Sequence, residues 1–444
     1  MTSTDAPPTR DESASARGLR VLWTSALAGI VGGLASTLYL GVLALAELPL
    51  WPGRHSNLVQ WGLLILAGLL ISALMRVLGD PGEPGVFIDS VHVDGGPPRL
   101  RPLVSLLPLS LIGIAVGGGI GPEPALMQTT GSISSWLGRR LRLDSAGLRV
   151  LTVTGMAAGF TVLFGAPLGA SVFALEILHR KGLEYYESLV PACVGSLASY
   201  GVYILLTGRD LAPEWRFTLT ATSGLRPLDL LWGLAGGIGG TLVAHLFAFL
   251  IRSCAKAFGA LPPWARPPVA GIVLGALAYL SPYGLTFGET QLTQLVGTAK
   301  VTGTVLLLAA AAHLLGAAVT LAGRWKGGII IPMFLVGYCI GRTAALWSGH
   351  PGYYLVLATS MMVACNVGMT KTPLGSTLVV SQMTGLQLIP PMLIAALVSL
   401  ALTKGISFVG GQRHRDPQHE AAGRDDEESY DRRSPRNTLP SVDR

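Results

Sequence analysis

Charge is what this sequence has least of. Only 13% of its 444 residues are Asp, Glu, Lys or Arg, where a soluble domain carries about 25%. With half the residues apolar and a mean hydropathy of +0.52, that scarcity excludes an ordinary soluble globular chain. Cysteines are few, and Cys193, Cys254, Cys339 and Cys365 are far apart with no CxxC pair. A disulfide framework and a zinc site are both excluded on that spacing, and no metal or cofactor is expected. Alternating ten-residue segments, the mark of a membrane β-barrel, are missing. The first apolar run lacks the flanks of a cleaved leader and is expected to stay as a helix. The net charge of +7 comes from basic residues that flank the apolar runs, so no nucleic-acid partner is expected.

What is present is a series of charge-free runs, at 21–46, 55–75, 102–122, 150–175, 188–208, 230–251, 267–288, 301–323, 343–370 and 372–403. A helix crossing a bilayer core needs roughly 20 apolar residues, and each run is long enough. The sequence therefore predicts an all-α polytopic membrane protein. Two further stretches, 124–138 and 327–341, are uncharged for only 15 residues and predict half-helices or buried core helices. Residues 1–18 are polar and are expected to form a disordered cytoplasmic N-terminus. Residues 412–444 are expected to form a disordered cytoplasmic tail. Between them, 19–411 makes the membrane body, in two pseudo-repeats of roughly 19–208 and 228–411. An ungapped shift of 206 residues aligns Gly121 with Gly327, Met156 with Met362, and Pro167-Leu168-Gly169 with Pro373-Leu374-Gly375. Short, Gly/Pro-interrupted segments recurring in two halves point to a transporter-type repeat with a midplane site. Basic residues before the first helix and after the last predict both termini in the cytoplasm of a plasma-membrane protein.

The chemistry concentrates at Gly117-Gly118-Gly119-Ile120-Gly121-Pro122-Glu123-Pro124-Ala125, a carboxylate on a glycine-rich turn between apolar runs. An ionisable group at that depth costs several kcal/mol unless partnered, which makes function the default reading. Pro122 favours a helix start, and a helix start offers unpaired N–H groups and the positive end of a dipole to an anion. Pro122 and Pro124 have no N–H, so this turn donates only from Gly121, Glu123 and Ala125. A second such start is expected at Gly327-Gly328-Ile329-Ile330-Ile331-Pro332, where no polar side chain competes for the amides. A plain capping carboxylate would explain Glu123 alone; the paired second site favours a gate. The glycines superficially suggest a dinucleotide loop, but no strand or ribose-binding acid accompanies them. Lys371 predicts a loop residue facing the cytoplasm, and His245 and His313 predict hydrogen-bonded core histidines.

These stretches together resemble the CLC family of chloride channels and anion/proton exchangers. Gly121-Pro122-Glu123-Pro124-Ala125, with Gln128 and Gly131, stands where that family has Gly-Lys/Arg-Glu-Gly-Pro. Gly328-Ile329-Ile330-Ile331-Pro332 stands for Gly-x-Phe-x-Pro, and Ala166-Pro167-Leu168 with Phe173 and Glu176 for the helix after the gate. The likeness runs in order over nearly the whole membrane body. It implies an inverted-repeat architecture in which broken and short helices meet at a midplane anion site, assembled as a homodimer with one pore per subunit. It implies that Glu123 gates the path, and that amides of Ile329 and Ile330, with those around Glu123 (Gly121, Ala125) and at Gly328, hold the anion. The family's upstream Gly-Ser-Gly-Ile-Pro ligand is best matched by Gly82-Glu83-Pro84-Gly85, without its serine. The inner tyrosine has no clear counterpart, with Ser407 or Phe408 in its region. Glu176 matches a family carboxylate, but the following proton-transfer position of many exchangers is Ile177. His179, three residues from Glu176, is left as the possible relay of a proton path.

The expected function is chloride transport through a glutamate-gated pore, channel-like or weakly proton-coupled. A fluoride or nitrate carrier of the same fold and a proton-coupled exchanger remain open, as does an unrelated solute symporter with a wider cavity. An intramembrane enzyme needs a second convergent polar group beside Glu123. None accompanies it in the sequence, so no enzyme activity is expected.

Overall fold

The computed structural model describes residues 10–50, 55–181, 186–208, 224–297, 301–406 and 408–414. It is an all-α membrane protein whose helices fall into two successive series. The first series comprises α1 (Arg10–Leu50), α2 (Asn57–Leu78), α3 (Pro84–Asp94), α4 (Arg101–Ala115), α5 (Glu123–Arg140), α6 (Ser145–Phe164), α7 (Pro167–Glu176) and α8 (Tyr186–Thr207). The second comprises α9 (Pro227–Gly259), α10 (Arg266–Leu280), α11 (Glu289–Gly297), α12 (Gly303–Ala322), α13 (Ile330–Trp347), α14 (Tyr354–Thr370), α15 (Pro373–Thr384) and α16 (Ile389–Leu402). The order of long, short and broken helices repeats. Helices α5 and α13 have 18 residues each, and α7 and α15 are short, with 10 and 12.

Among the described residues, eight helices are long and apolar enough to cross a membrane: α1, α2, α6, α8, α9, α12, α13 and α14. That corrects the reading of ten spanning runs: 102–122 and 267–288 hold only the 15-residue α4 and α10, 372–403 is divided, and α13 is added. The run 150–175 breaks at Gly165, whose left-handed backbone (φ 64°) ends α6, and Pro167 then opens α7. The run 372–403 divides at Gly385 into α15 and α16. The stretch 327–341, read as too short to cross, belongs to an 18-residue helix that continues through Arg342, because Arg342 is buried and donates to Leu295 O and Tyr338 Oη.

The break after α14 repeats that after α6 with a costlier residue. Lys371 takes the left-handed C-cap position (φ 63°) that Gly165 takes in the first half. It is buried, and its Nζ donates to Gly368 O (2.8 Å), Thr403 O (2.7 Å) and Thr403 Oγ1 (2.7 Å). This side chain is therefore an internal tie from α14 to the end of α16 and does not face solvent as the sequence suggested. His313 and His245 are hydrogen-bonded within the protein, to Tyr283 O and Thr241 O.

Both ends of the body extend further than composition predicted. Helix α1 begins at Arg10, inside the stretch 1–18 expected to be disordered. At the other end, Gln412 is buried, and β2 (Arg413–His414) pairs with β1 (His179–Lys181), so 412–414 belong to the fold and not to a loose tail. The cause is an orphaned helix end. Gln412 Nε2 donates to Ile177 O (2.9 Å) and Thr370 O (2.8 Å), capping carbonyls that α7 and α14 leave unpaired.

Candidate functional site

The two glycine-rich turns meet. Gly121 N donates to Gly328 O at 2.9 Å, and Gly328 N donates to Gly121 O at 2.7 Å, an antiparallel bridge joining the starts of α5 and α13. Each half of the repeat thus delivers one helix N-terminus to a common point. The bridge also changes the expected ligand set. With their N–H groups bonded to each other, Gly121 and Gly328 have no amide left for an anion. What they contribute is the space of a missing side chain. The nearest atoms to a Cβ on Gly121 would be those of the Glu123 carboxylate, with Oε1 at 2.6 Å and Cδ at 2.7 Å, and one on Gly328 would meet Oε2 of the same group and Pro124 Cδ.

Glu123 is 1% exposed. Its Oε1 accepts from the backbone N–H of Ile331 at 2.7 Å, and the amides of Glu123 itself and Ile330 also face the carboxylate. Oε2 has no hydrogen-bond partner among the described residues. The carboxylate therefore occupies the positive end of α13. Of the expected amide donors, Ile330 faces this point, while Ile329 caps α13 and accepts from Met333 N. Ala125 is buried in the first turn of α5, away from the cavity wall. Ile331, the residue that donates, was not read from sequence, although its place just before Pro332 in the first turn of α13 was a usable signal.

A cavity of about 410 Å³ opens beside this group and is lined by Gly82, Glu83, Glu123, Gly328, Ile330 and Phe408, among others. The upstream turn, the gate candidate and the second helix start therefore share one space. Phe408 stands on its wall, whereas Ser407 lies outside the described residues. Gly82 and Glu83 reach the cavity but do not offer the expected anion contacts. The Gly82 amide donates to Asp80 Oδ1 (3.1 Å), and the Glu83 carboxylate accepts from Lys326 Nζ at 3.4 Å. Lys326 was the second omission, a cation immediately ahead of Gly327-Gly328. Its Nζ also pairs with Asp80 Oδ1 at 2.9 Å, and Arg324 bonds the other Asp80 oxygen. Partial burial pushes the Asp80 carboxyl up, but Lys326, the Gly82 amide and Arg324 outweigh it and hold the group below the ordinary carboxylate range.

Glu176 and His179 are not aligned on a helix face as their spacing suggested, because α7 ends at Glu176. His179 lies in β1, its ring edge-to-face with His92 at 5.1 Å. Glu176, 3% exposed, caps the start of α15, with Oε1 accepting from Leu374 N (3.1 Å) and Oε2 from Gly375 N (2.7 Å). Each oxygen is held by an amide, which favours a fixed carboxylate over a proton carrier. Glu176→Gln replaces one acceptor by a donor facing an N–H. The expected outcome is a loss of about 1–3 kcal/mol of stability, read as a lower unfolding temperature in detergent, with the pH profile of any transport unmoved.

Residues 67–404 match the family model described as voltage gated chloride channel. The chain is 27% identical over 411 residues to a chloride/fluoride channel protein of Pseudomonas syringae pv. tomato, covering 89% of this chain and 87% of that one. It is 26% identical over 384 residues to the voltage-gated ClC-type chloride channel ClcB of Shigella flexneri, covering 82% and 89%. Among solved structures, a CLC-type fluoride/proton antiporter superposes with a TM-score of 0.77 at 21% identity, covering 92% of this chain and all of that one.

Proposed function

The chain belongs to the voltage gated chloride channel family, and on that footing we propose that it passes small anions, chloride first among them, through a pore gated by Glu123. One observation carries this reading. A buried carboxylate accepts from the Ile331 amide at the start of α13 with one oxygen, and its other oxygen makes no hydrogen bond among the described residues. A buried charge with an unmet acceptor is poorly held. By contrast, Glu176 has both oxygens bonded. The Glu123 carboxylate stands where an anion would sit, and an incoming anion competes with it for the Ile331 amide. Protonation neutralises the carboxylate and weakens its claim, so flux rises as pH falls.

The rest of the wall favours chloride over fluoride. Phe160, Ile329, Ile330 and Phe408 contribute apolar surface to the cavity wall near Glu123. A smaller anion surrenders more hydration energy on entering such a space. Glu83, standing where the family has a ligand serine, motivates the fluoride alternative. Conduction is read as channel-like or weakly proton-coupled, because Ile177 occupies the proton-transfer position and an isoleucine carries no proton. The working unit is read as a homodimer in the plasma membrane, with both termini cytoplasmic.

The test is the zero-current voltage of reconstituted protein under opposed chloride and proton gradients, repeated with fluoride and nitrate. It is expected to follow the chloride gradient and to ignore the proton gradient. A displacement set by pH would show tight coupling, and indifference to every anion would end the reading.

A further inference from the structure

Lys326 is an ammonium in the wall of the cavity that Glu123 borders, with a side chain only 6% exposed. A cation withdrawn that far from water needs compensation, and two carboxylates supply it unequally. Asp80 is the fixed partner. It meets Lys326 at 2.9 Å and is itself held by the Gly82 amide and Arg324. Glu83 is the loose one, 3.4 Å from Lys326 with its side chain 78% exposed. Although Glu83 stands at the N-cap of α3, its side chain makes no capping bond there. Nothing but Lys326 ties it in place among the described residues.

Position adds to this. A second cavity of about 470 Å³ adjoins the first, with Arg99 and Arg101 on its wall, and Glu83 and Gln128 line both spaces. Glu83 thus stands at the divide between a chamber whose wall holds Arg99 and Arg101 beside Asp80 and the chamber containing Glu123. The four charges of Asp80, Glu83, Arg324 and Lys326 sum to zero with Glu83 in place. With Glu83 swung away the cluster carries one positive charge, which a monovalent anion restores to neutrality.

We propose that Lys326 is a second anion-binding site on the transport path and that Glu83 is its displaceable occupant, a second carboxylate gate in series with Glu123. A permeating anion exchanges places with Glu83 at the ammonium before it competes with Glu123 at the helix start. This rests on the anion-transport reading above and extends it to the neighbouring chamber.

The experiment is tracer chloride exchange by the full chain in vesicles, at equal chloride on both sides so that orientation in the bilayer does not matter. Glu83→Gln removes the rival charge and keeps the shape, so the half-saturating chloride concentration is expected to fall about two- to fivefold, the scale of an exposed ion pair. Lys326→Met is expected to raise it about tenfold or more, and Lys326→Arg to keep it near the wild-type value. In a Lys326→Met background the Glu83→Gln effect is expected to vanish, since the two act as one pair. An unchanged value in Glu83→Gln, or an equal effect with and without Lys326, overturns the proposal. If Glu123→Ala still alters exchange while Glu83→Gln is silent, only this second gate fails. If the wild type exchanges no chloride, the transport reading fails with it.

Discussion

In Glu123→Ala, anion flux is expected to persist and to lose its dependence on pH. The side chain removed is a titratable group bonded to the start of α13, where its Oε1 accepts from Ile331 N. Without it, the amides at that helix start are buried and unmatched, a penalty of about 1–3 kcal/mol for each orphaned donor. An arriving anion relieves that penalty, so binding tightens as well as losing its rival. Glu123→Gln separates charge from bulk. Its side-chain oxygen can still accept from Ile331 while its amide group fills the same space, so its flux is expected to be pH-independent yet slower than that of the alanine variant. Proteoliposome chloride efflux, measured across pH for all three proteins, checks the ordering. A pH profile in Glu123→Ala that matches the wild type would count against the gate.

The second large effect is expected at Gly121. Its backbone lies outside the left-handed region, so alanine there carries no conformational strain. The atoms nearest the added Cβ would be those of the Glu123 carboxylate. If a permeating anion uses the space that the carboxylate fills, that methyl group obstructs both. Forcing a methyl into a filled site costs about 1–3 kcal/mol, so flux should fall by roughly ten- to a hundredfold. The double variant Gly121→Ala/Glu123→Ala discriminates further. The obstruction is expected to survive removal of the carboxylate, because the methyl group remains. Full recovery of flux in the double variant would show that anion and carboxylate occupy different places.

Much of this was legible in the sequence for physical reasons that work locally. Charge is expensive in lipid, so the uncharged runs located the membrane body and left Glu123 conspicuous. Proline and glycine punctuate helices through their backbones, so the start of α5 and the break before α7 could be read from Pro122 and Pro167. The 206-residue correspondence anticipated that two turns would come together, and Gly121 and Gly328 do so. What was not legible depended on partners distant in sequence. That the Gly121 and Gly328 amides bond to each other follows from contact across the two halves. Lys371 looked like a loop cation because nothing nearby announces Thr403, 32 residues on, as its acceptor. His179 was placed on a helix by extrapolating a period past the point where the fold ends it, with Gln412 taking the Ile177 carbonyl. Lys326 was passed over because its compensation by Asp80 and Glu83 comes from more than 240 residues away.

Bromide is a heavier stand-in for chloride that anomalous X-ray scattering can locate, and crystals of Glu123→Ala grown in bromide would place the ion directly. The ion is expected within hydrogen-bonding distance of the Ile331 amide, overlapping the volume held by the carboxylate in the native chain, and absent from that volume wherever Glu123 remains. Bromide bound elsewhere along the cavity, with the Ile331 amide satisfied by water or protein, would contradict the competition between ion and side chain.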